Sequence, residues 1–137
     1  MAFYLYSPLA AGLLGGNPRH SFASVMGGQA YAAGRSSDPD VLQEAAAHIE
    51  AACERSGIEI RQAAFRWLFN HSGLAPGDGV ITGARSLEEL RSIVEPMRAE
   101  SGPLPAAVVE AIDEAWQDIV GGHAVYPTRD LPEFARL

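Results

Sequence analysis

Several features are missing from this sequence, and each absence excludes a class of protein or site. The only cysteine is Cys53, so neither an intrachain disulfide nor a cysteine metal cluster can form. No apolar run approaches the roughly 20 residues of a membrane-spanning helix. The N-terminus "MAFYLYSPLA" lacks the basic region and hydrophobic core of a signal peptide. We therefore expect a soluble, cytoplasmic protein that does not enter a membrane.

Positive charge is also scarce. The chain has no lysine, and its ten basic side chains are scattered arginines. Because it has 17 acidic residues, its formal net charge is -7. Such a surface does not suit the phosphate backbone of a nucleic acid. No metal site is expected either, because the histidines have no ligand-like spacing to one another. They are His20, His48, His71 and His123.

The 137 residues, 47% of them hydrophobic, are enough for one domain with a buried core. Hydrophobic spacing and the positions of glycine and proline divide the chain into elements. The predicted order is a buried strand over 2–6, a glycine-rich connection over 12–37, helices over 38–57 and 59–71, a strand over 79–82, a helix from 87 that Pro96 should bend or end, a helix over 105–121 and an irregular tail over 121–137.

Apolar stripes predict which helical side chains face the core. The first helix presents Cys53 on its stripe, where it is a small core residue rather than a nucleophile. Trp67 and Trp116 are predicted to pack, and His71 to be a cap or packing residue. The stripes are Leu42, Ala45, Ala46, Ile49 and Cys53; Ile60, Ala64, Trp67, Leu68 and His71; Leu87, Leu90, Val94 and Met97; and Val108, Val109, Ile112, Trp116 and Ile119.

Two strands separated by helices indicate an α/β protein with a parallel pair. A parallel strand is normally covered on both faces, and a free two-stranded sheet is marginal. The missing strands must then be supplied from outside these residues, or the helices must cover the gap. The pattern is that of part of a larger architecture.

The segment "GDGVITGARSLEEL", residues 77–90, combines a short strand, a turn of small residues and a helix start. Gly83 and Ala84 allow close backbone approach, and the helix after Ser86 directs unpaired N–H groups and a positive dipole end toward the turn. With Arg85, this arrangement suits a phosphate monoester. Ser86 and Glu89 also have the spacing of a capping box, so the alternative interpretation is that these residues only begin a helix.

Three segments together resemble the C-terminal part of an aldo-keto reductase, especially of the aflatoxin-aldehyde-reductase type. They are "FYLYSPLAAGLL", "FRWLFNHSGLAPGDGVITGARSLEEL" and "GPLPAAVVEAIDEAW", in the family's order, and the resemblance covers most of residues 2–120. It implies a partial TIM barrel: a single partial domain over 1–137 that supplies the last two βα units and a C-terminal helix.

The resemblance also implies NADPH as cofactor, bound at the carboxyl ends of the strands. Tyr6 would stack on the nicotinamide. The loop after the first strand would line the pyrophosphate with Ser7, Pro8, Leu9, Ala10 and Gly12. Gly83, Ala84, Arg85 and Ser86 would receive the adenosine 2'-phosphate, with Glu89 beside them near the adenine.

Two positions near the adenine depart from the family pattern. Related enzymes commonly carry Gln or Arg where this chain has Glu89, and Asn where it has Ile93. A carboxylate near a phosphate is unfavourable and isoleucine cannot hydrogen-bond, so both residues bear on cofactor affinity and preference.

The family's catalytic tyrosine, lysine, aspartate and histidine belong to the first half of its barrel, and no catalytic residue is expected here. The sequence contains no lysine, and its four tyrosines lie outside the family's catalytic motif. One hypothesis is the cofactor-binding part of an NADPH-dependent reductase of aldehydes and ketones, inactive alone. The alternative is a truncated product or pseudoenzyme that binds nucleotide weakly, or associates with itself or a partner through exposed strand edges.

Overall fold

The computed structural model describes residues 1–15, 39–98 and 102–121. Within them lie two strands and four α-helices, so the predicted helix-rich α/β class is confirmed, while the barrel stays a prediction. The elements are β1 (Tyr4–Tyr6), α1 (Pro39–Arg55), α2 (Ile60–Asn70), β2 (Gly79–Ile81), α3 (Leu87–Arg98) and α4 (Ala106–Gly121). Most of the predicted glycine-rich connection and tail, residues 16–38 and 122–137, lies outside the described residues.

The two strands pair in parallel, as the element order predicts. Tyr4 lies opposite Gly79, Leu5 opposite Val80 and Tyr6 opposite Ile81. Gly79 is required by the pairing, because a Cβ there would lie 2.9 Å from Cδ1 of the Tyr4 ring. Parallel pairing places the carboxyl ends of both strands at the same edge, where the next loops begin.

Only one face of this sheet is covered by the described helices. Leu5 and Val80 pack against a core cluster of Phe65, Leu68 and Ile93. Alternate side chains of a strand point to opposite faces, so Tyr4 and Tyr6 are 62% and 65% exposed. The prediction of a buried strand over 2–6 is therefore wrong for these two side chains.

Helices α1 and α4 pack through small side chains. Ala52 and Cys53 of α1 and Val108 and Ala115 of α4 are almost fully buried. Burial raises the pKa of the Cys53 thiol, and the nearby charge of Glu50 adds to the effect. Cys53 is therefore a buried thiol in a packed core, as its position on the predicted stripe indicates.

Helix α2 is buried on two sides. Ala63 belongs to a cluster with Cys53 and Val108, whereas Phe65 lies in the cluster that supports the sheet. The predicted stripe omits both residues, because a single stripe does not describe a helix held between two clusters. The prediction for His71 is confirmed: it is the C-cap residue of α2, and its Nε2 accepts a hydrogen bond of 2.9 Å from the Leu104 N–H.

Helix α3 continues through Pro96 to Arg98, so of the two outcomes predicted for Pro96, a bend or an end, the end does not occur there. A proline cannot donate the hydrogen bond that the carbonyl four residues earlier, here Ser92, would otherwise accept. The Arg61 Nη1 donates to the Ser92 carbonyl oxygen at 3.3 Å. A side chain of α2 thus replaces a backbone donor that α3 lacks.

Asp78 joins the turn before β2 to the start of β1. Its Oδ1 accepts a hydrogen bond from the Phe3 N–H and its Oδ2 one from the Ala75 N–H, both at 2.8 Å. The Gly79 N–H donates to the Phe3 carbonyl at 2.9 Å. The bond from Ala75 and then that from Phe3 hold the pKa of the Asp78 carboxyl below its ordinary value of 3.8.

Asp78→Ala should lower the thermal unfolding midpoint at neutral pH, because two backbone donors lose their acceptor. Since the folded-state pKa of Asp78 is lowered, its contribution to stability is present above pH 3.8 and is lost as the pH falls through the folded-state pKa. The variant should therefore lose less stability than the parent chain on acidification. Thermal melts across pH test this, with exposed Asp118→Ala as control. Equal acid sensitivity in all three proteins would contradict it.

Candidate functional site

A groove of about 630 Å³ opens at the carboxyl ends of β1 and β2. The loops that follow the two strands form its walls, since parallel pairing brings both to one edge. All of the predicted cofactor residues except Ala10 and Ser86 line it. Its lining comprises Tyr6, Ser7, Pro8, Leu9, Gly12, Gly15, Arg61, Ile81, Thr82, Gly83, Ala84, Arg85, Glu89, Ser92 and Ile93.

The loop after β1 has an unusual backbone. Ser7 and Ala10 have φ values of 55° and 48°, in the left-handed region that costs a non-glycine residue about 1 kcal/mol or more. The Ala10 N–H donates to the Ser7 carbonyl, and the Gly12 N–H to the Leu9 carbonyl, each at 2.9 Å. These bonds hold a tight wall, from which Ser7, Pro8 and Leu9 face the groove. Strain of this kind is concentrated at ligand sites in proteins.

The loop after β2 ends in a helix cap. The Ser86 Oγ accepts a hydrogen bond of 3.1 Å from the Glu89 N–H, and the Glu89 Oε2 accepts one of 2.7 Å from the Arg85 N–H. The capping interpretation of Ser86 and Glu89 is therefore confirmed. Ser86 directs its hydroxyl to its own helix, and the Glu89 carboxylate lies where the helix N-terminus favours an anion.

Arg85 and Glu89 also form an ion pair, with Arg85 Nε 3.6 Å from Glu89 Oε2. The Arg85 side chain is 76% exposed and that of Glu89 38%. Exposed pairs of this kind contribute at most about 1 kcal/mol. Arg85 is therefore able to turn toward a phosphate at small cost, whereas Glu89 is also held by the Arg85 N–H.

Ile93 belongs to the core as well as to the groove. It is 3% exposed and packs with Phe65 and Leu68. An apolar residue at this position stabilises the cluster beneath the sheet. Isoleucine has no polar side-chain atom, so Ile93 offers packing and no hydrogen bond at this point of the groove lining.

The sequence prediction missed five residues of the groove lining: Gly15, Arg61, Ile81, Thr82 and Ser92. Thr82 directly follows β2, so the end of the predicted strand was a signal for it. Arg61 and Ser92 come together from α2 and α3 through tertiary packing, and nothing in their local spacing indicates this. The Arg61 Nη2 also donates to the Gly15 carbonyl of the first loop.

A second cavity, of about 410 Å³, is almost entirely apolar and lies among α1, α2, α4 and the loop after β1. Trp67 packs beside it against both core clusters. Trp116 is 56% exposed at its edge, so the prediction that Trp116 packs is wrong. Ala111 and Ala115, rather than Trp116, fill the interface of α4 with the core, because small side chains let the helices approach closely.

The described residues hold neither a metal-ligand cluster nor a membrane-spanning helix. Within residues 1–15, 39–98 and 102–121, no group of three or more His, Cys, Asp or Glu side chains is arranged to hold a metal ion. None of the helices there has the length and apolar character needed to cross a membrane. Tyr4 lies outside the groove lining, and Tyr31 and Tyr126 lie outside the described residues.

The sequence is similar to several aldehyde reductases. It is 32% identical to human aflatoxin B1 aldehyde reductase member 4, over 85% of the chain and 39% of that protein. It is 35% identical to rat aflatoxin B1 aldehyde reductase member 2, over 85% of the chain and 35% of that protein. Human aldo-keto reductase family 7 member A3 is 34% identical, over 99% of the chain and 42% of that protein.

The chain thus spans 35 to 42% of the length of these three relatives. The similarity confirms the resemblance predicted from the three sequence segments. The model of the aldo/keto reductase family matches residues 1–117. Since this is most of the sequence, the chain belongs to the aldo/keto reductase family.

Proposed function

We propose that this chain forms the cofactor-binding side of an oxidoreductase that uses NADPH to reduce aldehydes or ketones to alcohols. The observation that carries the proposal is the groove at the carboxyl ends of β1 and β2, which gathers most of the residues assigned by family resemblance. In this proposal the fold is part of a TIM barrel, whose active sites lie at that end of the strands.

The groove suits a dinucleotide in size and chemistry. Its volume of about 630 Å³ lies within the range of small-molecule sites. The neighbouring side chains Tyr6 and Ile81 are 65% and 57% exposed and offer an apolar surface to a flat ring. In the same lining, Arg85 offers an exposed guanidinium to a phosphate monoester. The fit therefore includes both a stacking surface and a charge.

The residues of this chain bind and orient the cofactor, which supplies the hydride for the carbonyl carbon. Tyr6 holds the nicotinamide ring, the strained loop after β1 fixes the position of the diphosphate, and Arg85 meets the 2'-phosphate. The proton donor and its supporting lysine come from outside these residues, since the sequence has no lysine. Cofactor binding is then a property of this chain, while reduction of a carbonyl substrate is not.

Arg85→Ala should weaken NADPH binding about tenfold and leave NADH binding nearly unchanged, because only NADPH carries the 2'-phosphate. Cofactor fluorescence titration measures both affinities. Arg91→Ala is the matched control, as it removes an exposed arginine of α3, the helix that follows Arg85, outside the groove lining. Equal weakening of both cofactors would contradict this role of Arg85, and no binding of either by the parent chain would overturn the proposed function.

Glu89→Gln should raise NADPH affinity about threefold to fivefold and change NADH affinity little. Glutamine keeps an oxygen that can accept the Arg85 N–H, so the helix cap remains, while the charge that repels a phosphate is removed. Glu88→Gln, an exposed neighbour in the first turn of α3, is the control. An unchanged ratio of the two affinities, measured by the same titration, would show that Glu89 does not oppose the phosphate.

A second candidate function is association without catalysis, with itself or with a partner protein. It is favoured by the exposed apolar side chains of the sheet and its N-terminal end, which include Phe3 at 60%, Tyr4 at 62% and Ile81 at 57%. The outer edges of a two-stranded pair are suited to further strands, and its exposed apolar face is suited to packing against a second copy. We place both candidates in the cytoplasm, where the free, buried Cys53 would remain reduced.

Phe3→Lys should reduce self-association, because a charge then interrupts the exposed apolar face. Light scattering across a range of protein concentrations reports the average mass. The control is Phe69→Lys, which places the same charge at a phenylalanine that is 50% exposed on α2, away from the sheet. A monomeric parent chain at all concentrations, or equal effects of the two variants, would contradict association through the sheet.

A further inference from the structure

Arg61 connects three parts of the groove. Arg61 lies on α2, and its side chain lines the groove. Its Nη1 donates a hydrogen bond to the Ser92 carbonyl of α3, and its Nη2 donates one to the Gly15 carbonyl of the loop after β1. Both acceptors are neutral, and both Gly15 and Ser92 belong to the groove lining. The guanidinium thus connects the loop after β1 to α3.

The charge of Arg61 has no carboxylate partner in the described parts of the chain. The ion pairs there join His48 to Glu114 and Arg85 to Glu89. Arg61 also borders a cleft that carries Glu50, Glu54 and Glu59, yet none of them forms an ion pair with it among the described residues. A partly buried cation that is fixed by neutral groups keeps its charge for an anion.

The hydrogen-bonding capacity of this guanidinium is also incompletely used. Arginine has five N–H donors, and the Arg61 Nε is buried without a partner in the described part of the chain. An unsatisfied buried donor is unfavourable, and a phosphate oxygen is the acceptor that a guanidinium prefers. Nη1 and Nη2 each carry two hydrogens and use one of them for the Ser92 and Gly15 carbonyls, so each has a second hydrogen to donate to a phosphate oxygen.

We propose that Arg61 binds the diphosphate of a dinucleotide in this groove. The inference rests on the proposed function and assigns the bridging phosphates, which every nicotinamide dinucleotide carries, to a residue of α2. A dinucleotide bound in this groove would share its lining with both arginines, Arg61 and Arg85. In this proposal Arg61 supplies the charge for the diphosphate, and Arg85 supplies it for the 2'-phosphate.

The test compares Arg61→Gln and Arg61→Lys with Arg66→Gln in the full chain. Arg66 is the matched control, because it also lies on α2 and donates to backbone carbonyls, those of Gly102 and Pro103, but does not line the groove. Calorimetric titrations with ADP and with adenosine separate the diphosphate from the nucleoside. Titrations with NADH and NADPH extend the comparison, and circular dichroism verifies the fold of each variant.

Arg61→Gln is expected to weaken ADP, NADH and NADPH about tenfold to a hundredfold and to leave adenosine unchanged. Arg61→Lys is expected to restore part of the ADP affinity, and Arg66→Gln to change none of these affinities. Equal losses of ADP and adenosine would overturn the proposal, since they would indicate a structural clamp. Unchanged ADP affinity in Arg61→Gln, or an equal loss of ADP affinity in Arg66→Gln, would also overturn the proposal. A third contrary result would be an Arg61→Gln variant that unfolds together with an Arg61→Lys variant that binds no ADP.

The same titrations separate this inference from the proposed function. A parent chain that binds ADP through Arg61 but neither nicotinamide cofactor would overturn the proposed function and retain the diphosphate site. A parent chain that binds both cofactors with no contribution from Arg61 would overturn the inference alone. A parent chain that binds none of these ligands would overturn both.

Discussion

The parallel pairing of β1 with β2 is the constraint on which the rest of the structure depends. It places two loops that are 75 residues apart in sequence at one edge of the sheet, and both of them line the groove. Asp78 fixes this register by binding the Phe3 and Ala75 N–H groups at the opposite end of the strands. A carboxylate far from the groove thus determines how its two walls face each other.

The other side of the groove depends on α2, which lies between the two core clusters. Phe65 supports the sheet and Ala63 contacts the α1 and α4 side, so the helix has little freedom to shift. Arg61, near the N-terminus of α2, then reaches the loop after β1 and α3 from a fixed base. The carbonyl of Ser92 is available to it because Pro96 has no N–H to donate. The absence of an N–H on Pro96 therefore leaves the carbonyl acceptor that helps to fix the Arg61 guanidinium at the groove.

Local signals predicted much of this arrangement. The parallel strands, the ends of α1 and the capping pair of Ser86 and Glu89 follow from spacing, glycine and proline, which act within a few residues. The two-sided burial of Phe65, the exposure of Trp116 and the reach of Arg61 depend on which elements pack together, and no short-range pattern encodes that. Tyr4 and Tyr6 are exposed for the same reason, since an apolar strand indicates a buried face but not which element will cover it.

Glu89 shows how stability and binding compete within one turn of helix. Its carboxylate accepts the Arg85 N–H and lies 3.6 Å from the Arg85 guanidinium, so it already uses the positive potential that a phosphate would seek. The pair is exposed and weak, so a doubly charged phosphate would compete with Glu89 for Arg85 and would still be repelled by the Glu89 charge. Arg61 forms no ion pair with a carboxylate of the described residues, and its guanidinium is held by two neutral carbonyl groups. The two arginines of the groove lining therefore differ in kind, because Arg85 is mobile and already paired with a carboxylate, whereas Arg61 is fixed and paired with none in the described part of the chain.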